Sequence, residues 1–239
     1  VITAIAVVIP ARDESELVGR CLESVLVAKA RLEKRHAGVS VSVMLVADRC
    51  TDDTADVARA HPGVTVVQID AGNVGVARAT GAMLAIESSD RLPDHIWIAS
   101  TDADSAVPPG WLIEQVRLAR RGAAVVLGTV RPDADDLSAE QASAWAAVHT
   151  PATRVGEVHG ANLGVRADVY LAAGGFPGIA EHEDVALVDR CADLGAEIVA
   201  TGRSEVATSG RQVGRTPGGF ARYLRDDLLR SHDFANPAL

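Results

Sequence analysis

The chain alternates short apolar runs with stretches of helical periodicity, and this alternation limits the folds open to it. Ala4–Ile9, Val41–Val46, Val64–Ile69 and the run beginning at Ile96 are each apolar, short and bounded by turn residues. Such runs predict strands buried on both faces. Between them, Glu14 to about Arg35 places Leu17, Cys21, Leu22, Val25 and Leu26 at helical spacing. Thr51 opens a second helix with Asp52 and Asp53 in its first turn, and Val74–Ile86 follows a Gly-Asn-Val-Gly turn. Strand-helix alternation of this kind predicts an α/β chain with a mostly parallel sheet and right-handed crossovers.

The fourth strand carries the chemistry. Ile96-Trp97-Ile98-Ala99-Ser100-Thr101 ends in Asp102-Ala103-Asp104, and Pro108-Pro109 then starts a new helix. Residues i and i+2 of extended backbone point the same way, so both carboxylates can aim at one object. Ligands of open α/β sheets sit at the carboxyl ends of the strands. Two hard oxygen ligands there suit Mg²⁺ or Mn²⁺ carrying a phosphate group. The alternative is that Asp104 caps a turn and Asp102 is solvated.

The second half is less regular. Ala123–Val130 reads as a fifth strand, Ala139–Val148 as a helix and Thr150–Gly160 as a loop. Asp184–Gly195 reads as a helix, Glu197–Ala200 as a strand, and Phe220 to about His232 as a last helix expected to pack on the sheet. No low-complexity linker divides the 239 residues. The expectation is one domain, 1–239, regular in its first half and irregular in its second.

Composition excludes several functions. A net charge of −9 argues against a general nucleic-acid binder, which needs a basic face. Cys21, Cys50 and Cys191 are odd in number and without metal-ligand spacing, as expected of reduced thiols in a cytoplasmic protein. No apolar run has the length of a membrane span, and Ile2–Pro10 is too short for an export signal. The turn Pro10-Ala11-Arg12-Asp13-Glu14 lacks glycine, which rules out dinucleotide and P-loop turns and the glycine-rich turn of nucleotidyltransferases.

A family resemblance rests on several stretches in one order. Ile9-Pro10-Ala11-Arg12-Asp13-Glu14 resembles the opening of the family-2 glycosyltransferases of GT-A fold. Val46-Ala47-Asp48-Arg49-Cys50-Thr51-Asp52-Asp53-Thr54 resembles their V-D-D-G-S-T-D-G-T stretch. Asn73-Val74-Gly75-Val76-Ala77-Arg78-Ala79 is similar to their N-x-G-x-A-x-A-R-N turn. Asp102-Ala103-Asp104, followed by Pro109-Gly110-Trp111-Leu112, resembles their metal-binding D-x-D and its sequel. Gly160–Arg166, Gly174-Gly175-Phe176 and Glu183–Leu187 resemble their acceptor-side half. The shared motifs cover roughly residues 4 to 195, and the resemblance implies a nucleotide-binding half (1–105) and an acceptor-binding half with a C-terminal lid and helix (106–239).

The resemblance implies a metal-dependent inverting transfer of a sugar from a nucleotide-diphospho-sugar to an acceptor hydroxyl. It points to Pro10, Ala11, Arg12, Glu14, Asp48, Arg78 and Asp102 for the nucleotide. Asp48 would accept the imide N–H of uracil, favouring a UDP donor, or else be a turn residue. Ala47 and Arg49-Cys50 depart from the family pattern and loosen that choice of base. Asp104 would hold Mn²⁺ or Mg²⁺ directly, with Asp102 on ribose or a metal-bound water and His232 a third ligand by position alone. Asp184 would be the base, flanked by Glu183 and Glu181. His159, Gly160, Ala161 and Asn162 would form a tight loop beside sugar and acceptor. Trp111 would stack on the acceptor or lie in the core, and Arg211 and Arg215 would fold over the diphosphate or belong to a linker. A retaining enzyme of the same fold and a catalytically silent sugar-nucleotide-binding protein are the competing readings. Neither sugar, acceptor nor oligomeric state follows from the sequence.

Overall fold

The structure is a computed structural model and describes residues 1–149, 155–179, 181–214 and 218–230. Its elements in chain order are β1 (Ala4–Ala11), α1 (Val18–Arg35), β2 (Ser40–Asp48), α2 (Thr54–Arg59), β3 (Val64–Ile69), α3 (Val74–Glu87) and β4 (Ile96–Ser100). There follow β5 (Ser105–Ala106), α4 (Trp111–Ala119), β6 (Val125–Pro132), α5 (Ala139–Val148), β7 (Leu163–Arg166), α6 (Ala167–Ala172), α7 (Glu183–Asp193) and β8 (Ile198–Thr208). A last helical segment, α8 (Phe220–Arg222), continues through a π-turn at Tyr223–Asp227.

The eight strands form one sheet in the order β3-β2-β1-β4-β7-β6-β8-β5. β1 runs parallel to β2 and β4, and β2 parallel to β3, as the alternation predicts. β1 is buried along its whole length, and its faces split by parity. Ile5, Val7 and Ile9 enter a core shared with Cys21, Leu22 and Val25 of α1, while Ala4 and Val8 meet Leu187 and Cys191 of α7. Continuous apolarity is therefore required, because both faces of the strand are covered.

The second half departs from a parallel pattern. β7 is antiparallel to both β4 and β6, and β8 is parallel to β6 with a register shift between Gly128 and Val130. β8 extends to Thr208, well past the expected Ala200. Its polar stretch Thr201-Gly202-Arg203-Ser204 is poor strand sequence, yet the β8 ladder resumes at Val206 against Val130 of β6. α1 starts at Val18 rather than Glu14, since the carbonyl of Glu14 accepts from Leu17 and Val18 in a preceding turn. α2 starts at Thr54 rather than Thr51. The Thr51 N–H is taken by the Asp13 carboxylate, and Asp52 accepts from the Thr54 N–H.

The sheet is strongly curled, and chain length shows why. β4 and β5 stand four places apart in the sheet order, yet five peptide steps join Ser100 to Ser105. Five steps reach at most ~16–18 Å, whereas four strand spacings in a flat sheet need ~19 Å. The loop carrying Asp102 and Asp104 therefore ties the far edge of the sheet back to its centre. Ser105 and Ala106 pair with Thr208 and Ala207, and the Ser209 N–H donates to the Asp104 carbonyl at 3.2 Å.

Candidate active site

A cleft of about 890 Å³ opens where β1, β2, β4 and β8 end. Pro10, Ala11, Arg12, Glu14, Asp48, Arg78, Asp102 and Asp104 line it. So do His159, Gly160, Ala161, Glu181, Glu183 and Asp184. Residues from both halves of the chain thus share one wall-to-wall space.

Backbone contacts hold the D-x-D loop. The Thr101 N–H donates to the Val8 carbonyl (3.2 Å), and the Ser105 N–H to that of Asp102 (3.1 Å). The Cys21 thiol also donates to the Asp102 carbonyl at 3.2 Å, and burial pushes its pKa up so that it stays a donor. Asp104 Oδ2 lies 2.8 Å from the Arg211 guanidinium, and the Ser105 and Thr208 hydroxyls stand 3.3 Å from its Oδ1. Burial, reinforced by the neighbouring Asp102 charge, pushes Asp104 up to about 6. A carboxylate so crowded by negative charge favours a cation beside it, and Arg211 supplies one here. Arg211 also forks onto Glu14, at 3.0 and 2.8 Å.

Arg78 is a hub joining the D-x-D loop to Gly160 and Glu183. It is buried, and its Nε donates to Glu183 Oε1 (2.9 Å), Nη1 to Ser100 Oγ (2.6 Å) and the Gly160 carbonyl (3.3 Å), and Nη2 to Asp102 Oδ1 (2.6 Å). Burial works against its charge, but Asp102, Glu183 and Asp184 more than offset that and drive its pKa upward. Gly160 is required at its place: a Cβ there would collide with the guanidinium, 2.8 Å from Cζ. Arg78 is thus spent on positioning protein groups, with most of its N–H donors committed.

Asp184 sits in the first turn of α7. Its Oδ2 accepts from the Gly160 N–H (2.6 Å) and its Oδ1 from the Val185 N–H (2.8 Å). Each oxygen keeps a lone pair for a further proton donor. His182 precedes the helix with φ +63°, in the left-handed region, and this sharp entry brings the Glu183-Asp184 pair to the cleft.

Asn162 does not make its expected contact, and Trp111 takes the second of its two expected places, in the core. Trp111 is wholly buried, and its indole N–H donates to Asn162 Oδ1 at 2.8 Å, so it has no face to offer an acceptor. Asn162 is buried too, its amide donating to the carbonyls of Thr129 and Ser204, so no part of it reaches a hydroxyl in the cleft. Asp48 is spent mainly on its own loop: Oδ1 accepts from the Ala71 and Gly72 N–H groups and Oδ2 from that of Asn73. Arg215 and His232 lie outside the described residues. Asp13, Cys50 and Asp52 bring three ligand-type atoms within 4.8 Å of one another. The two carboxylates instead stitch loops together, through Thr51 and through Ser15 and Thr54, and burial raises the Cys50 pKa.

The sequence reading missed a wall of rings. Trp145 of α5, His149 at its C-terminal cap, and Phe220 and Tyr223 of the last helical segment line the cleft. The last segment rests on α5 through Ala144, Leu224 and Leu228, while its Phe220 also packs against the core cluster of the sheet. The available signal was the i, i+4 spacing of Trp145 and His149 on a helix of a chain with only 3% aromatic residues.

The comparisons agree with this geometry. The family described as "Glycosyltransferase like family 2" matches residues 3–208. The chain belongs to the family-2 glycosyltransferases. No curated protein sequence matches it. Among solved structures it is similar to TarS 1–349 of S. aureus (14% identity, 98% of this chain and 71% of that one, TM-score 0.62). It covers 36% of a longer TarS chain. It is also similar to the mannosyltransferase PcManGT of Pyrobaculum calidifontis in complex with GDP-Man and Mn²⁺ (19%, 98% and 74%, TM-score 0.62). A third neighbour is the glucosyl-3-phosphoglycerate synthase of Mycobacterium tuberculosis with Mn²⁺, UDP-glucose and glycerol 3-phosphate (17%, 99% and 81%, TM-score 0.51). These likenesses establish the GT-A fold of this glycosyltransferase domain. Among its described residues, no helix is long and apolar enough to cross a membrane.

Proposed function

We propose that this glycosyltransferase inverts configuration at the anomeric carbon of a metal-bound nucleotide-diphospho-sugar, with a UDP-sugar as donor. The observation that carries the reading is one cleft lined by the Asp102–Asp104 pair, by Arg211 against Asp104, and by Asp184. The donor set fits a divalent cation: two hard carboxylates close together, one of them with a proton affinity raised by burial and by its neighbour's charge. Asp104 and Asp102 would hold Mn²⁺ or Mg²⁺, which supplies charge neutralisation of the leaving diphosphate when bound. Arg211 then turns from Asp104 toward the diphosphate, where a forked guanidinium suits phosphate oxygens. Pro10, Ala11 and Arg12 bound the nucleotide, and Asp48 keeps one of its roughly four lone-pair sites for an imide N–H.

Asp184 accepts the proton of the acceptor hydroxyl as its oxygen bonds to the anomeric carbon. The bond from that carbon to the diphosphate oxygen breaks, and the electron pair leaves with the nucleoside diphosphate. Arg78 keeps Asp102 and Glu183 in place on either side of the reacting centre. His159, Gly160 and Ala161 border the sugar.

The test is thermal stability against UDP, GDP, dTDP and CDP with and without Mn²⁺, since a ligand of the native state raises the melting temperature by mass action. UDP is expected to stabilise only with metal, and Asp104→Ala to abolish the shift. Stabilisation by GDP instead would refute the UDP assignment, and no shift with any nucleotide would refute the donor site. Product anomeric configuration by NMR separates inversion from retention, and Asp184→Asn is expected to abolish transfer.

A further inference from the structure

Part of the cleft wall is built of rings. Trp145 and His149 stack with centroids 3.6 Å apart and planes 13° apart. Phe220 and Tyr223 meet Trp145 edge-on at 5.8 and 6.5 Å, and the Tyr223 hydroxyl lies 3.0 Å from His149 Nε2. The described aromatic residues away from this wall, Trp97, Trp111, Tyr170 and Phe176, are all buried in the core. A chain this poor in aromatics therefore spends three of them, half-exposed, on the cleft.

Carboxylates line the same cleft, and burial together with the nearby Glu157 charge raises the Tyr223 pKa. Glu157, Glu181 and Asp184 are among them. Arg78, the buried cation beside them, is taken up by Glu183, Asp102, Ser100 and the Gly160 carbonyl. A phosphorylated or carboxylated acceptor brought here would face like charge. Aromatic faces beside carboxylate acceptors instead suit a molecule with an apolar C–H face and an equatorial rim of hydroxyl donors.

We propose that the acceptor is an uncharged carbohydrate, its ring resting on the Trp145–Phe220–Tyr223 wall and its hydroxyls donating to Glu157 and Glu181. This deepens the transferase reading and rests on it. One acceptor hydroxyl is thereby turned toward Asp184. Its oxygen forms the new bond to the anomeric carbon, its proton passes to Asp184, and the nucleoside diphosphate departs with the electrons of the broken bond.

The experiment measures nucleoside diphosphate release from UDP-glucose and GDP-mannose with Mn²⁺, alone and with each acceptor. The uncharged probes are methyl glucoside, methyl mannoside, maltose and cellobiose; the anionic probes are 3-phosphoglycerate and glycerol 3-phosphate. At least one uncharged probe is expected to accelerate release and to quench tryptophan fluorescence on titration, and the anionic probes to do neither. Trp145→Ala is expected to raise the KM for that probe ~10-fold with a smaller change in kcat, the size of one lost ring contact. Trp145→Phe, which retains a ring, should restore most of it, and circular dichroism checks that both variants fold. Acceleration by an anionic probe alone, or an unchanged KM in Trp145→Ala, overturns the inference. Slow release of diphosphate without acceptor and no response to any uncharged probe overturns it while leaving the transferase reading intact. No donor binding or release at all removes that reading, and the inference with it.

Discussion

Replacing Arg78 by methionine tests whether the buried guanidinium organises the site. The side chain is 4% exposed and its partner Glu183 6%, while Asp102 is more open at 33%. Methionine fills much of the volume but leaves the Glu183 carboxylate buried without its cation, a loss of ~3–5 kcal/mol by the usual cost of breaking such a pair. At ~2.1 cal/mol/K per residue, a chain of 239 residues unfolds with an entropy of about 0.5 kcal/mol/K, so the melting temperature should fall by ~6–10 °C. The second arm of the experiment is Arg78→Met with Glu183→Met. Removing both charges relieves the unpaired carboxylate, so the double variant should melt above Arg78→Met, with a coupling of ~1–3 kcal/mol. Melting by circular dichroism at pH 7.5, without metal or nucleotide, reads both. An Arg78→Met protein that melts within ~2 °C of the parent would show that the hub contributes no stability, and a double variant lower by the sum of the two single losses would show that Arg78 and Glu183 are not coupled.

Three further outcomes follow from individual contacts. Asp104 holds its proton to about 6 in the folded chain against 3.8 for the free group, so the native state binds more protons between these values and stability falls as pH rises through them. In EDTA, Asp104→Asn should therefore raise the melting temperature at pH 7.5 by a margin worth ~1–3 kcal/mol and make no difference near pH 4; a lower melting temperature at pH 7.5 contradicts this. Trp111→Phe removes the indole donor to Asn162 Oδ1 inside the core and should cost ~1–3 kcal/mol in urea denaturation while leaving the acceptor KM unchanged; a raised KM would return Trp111 to the cleft. Asp48→Asn can serve only one arm of the three-amide cradle, so the amides of Ala71, Gly72 and Asn73 should exchange with deuterium ~10-fold faster or more, and unchanged protection would sink the cradle.

The site was only partly legible in the sequence, and the division follows the range of the interactions. Asp102 and Asp104 could be read because period two in a strand and a following Pro-Pro are local facts. Gly160 could be singled out, but its reason is Arg78, which lies eighty-two residues away. The buried fates of Trp111 and Asn162 were hidden for the same cause: each is the other's hydrogen-bond partner across 51 residues. Trp145 and Tyr223 share a wall only because α5 and the last helical segment pack together, which neither helix's own pattern states.

By itself the sequence determined the alternation of strand and helix, the parallel first half with its buried β1, the glycine-free first turn and the position of the D-x-D pair. All of these rest on side-chain period and turn chemistry within a dozen residues or so. Tertiary structure alone decided the antiparallel insertion of β7, the extension of β8 to Thr208 and the curl that returns β5 to the centre. It alone decided, too, that Arg211 reaches Glu14 across 197 residues to stand against Asp104. Those features depend on where the chain closes on itself. A pairing between distant segments is set by the sum of their packing and hydrogen bonds, and no short stretch of sequence carries that sum.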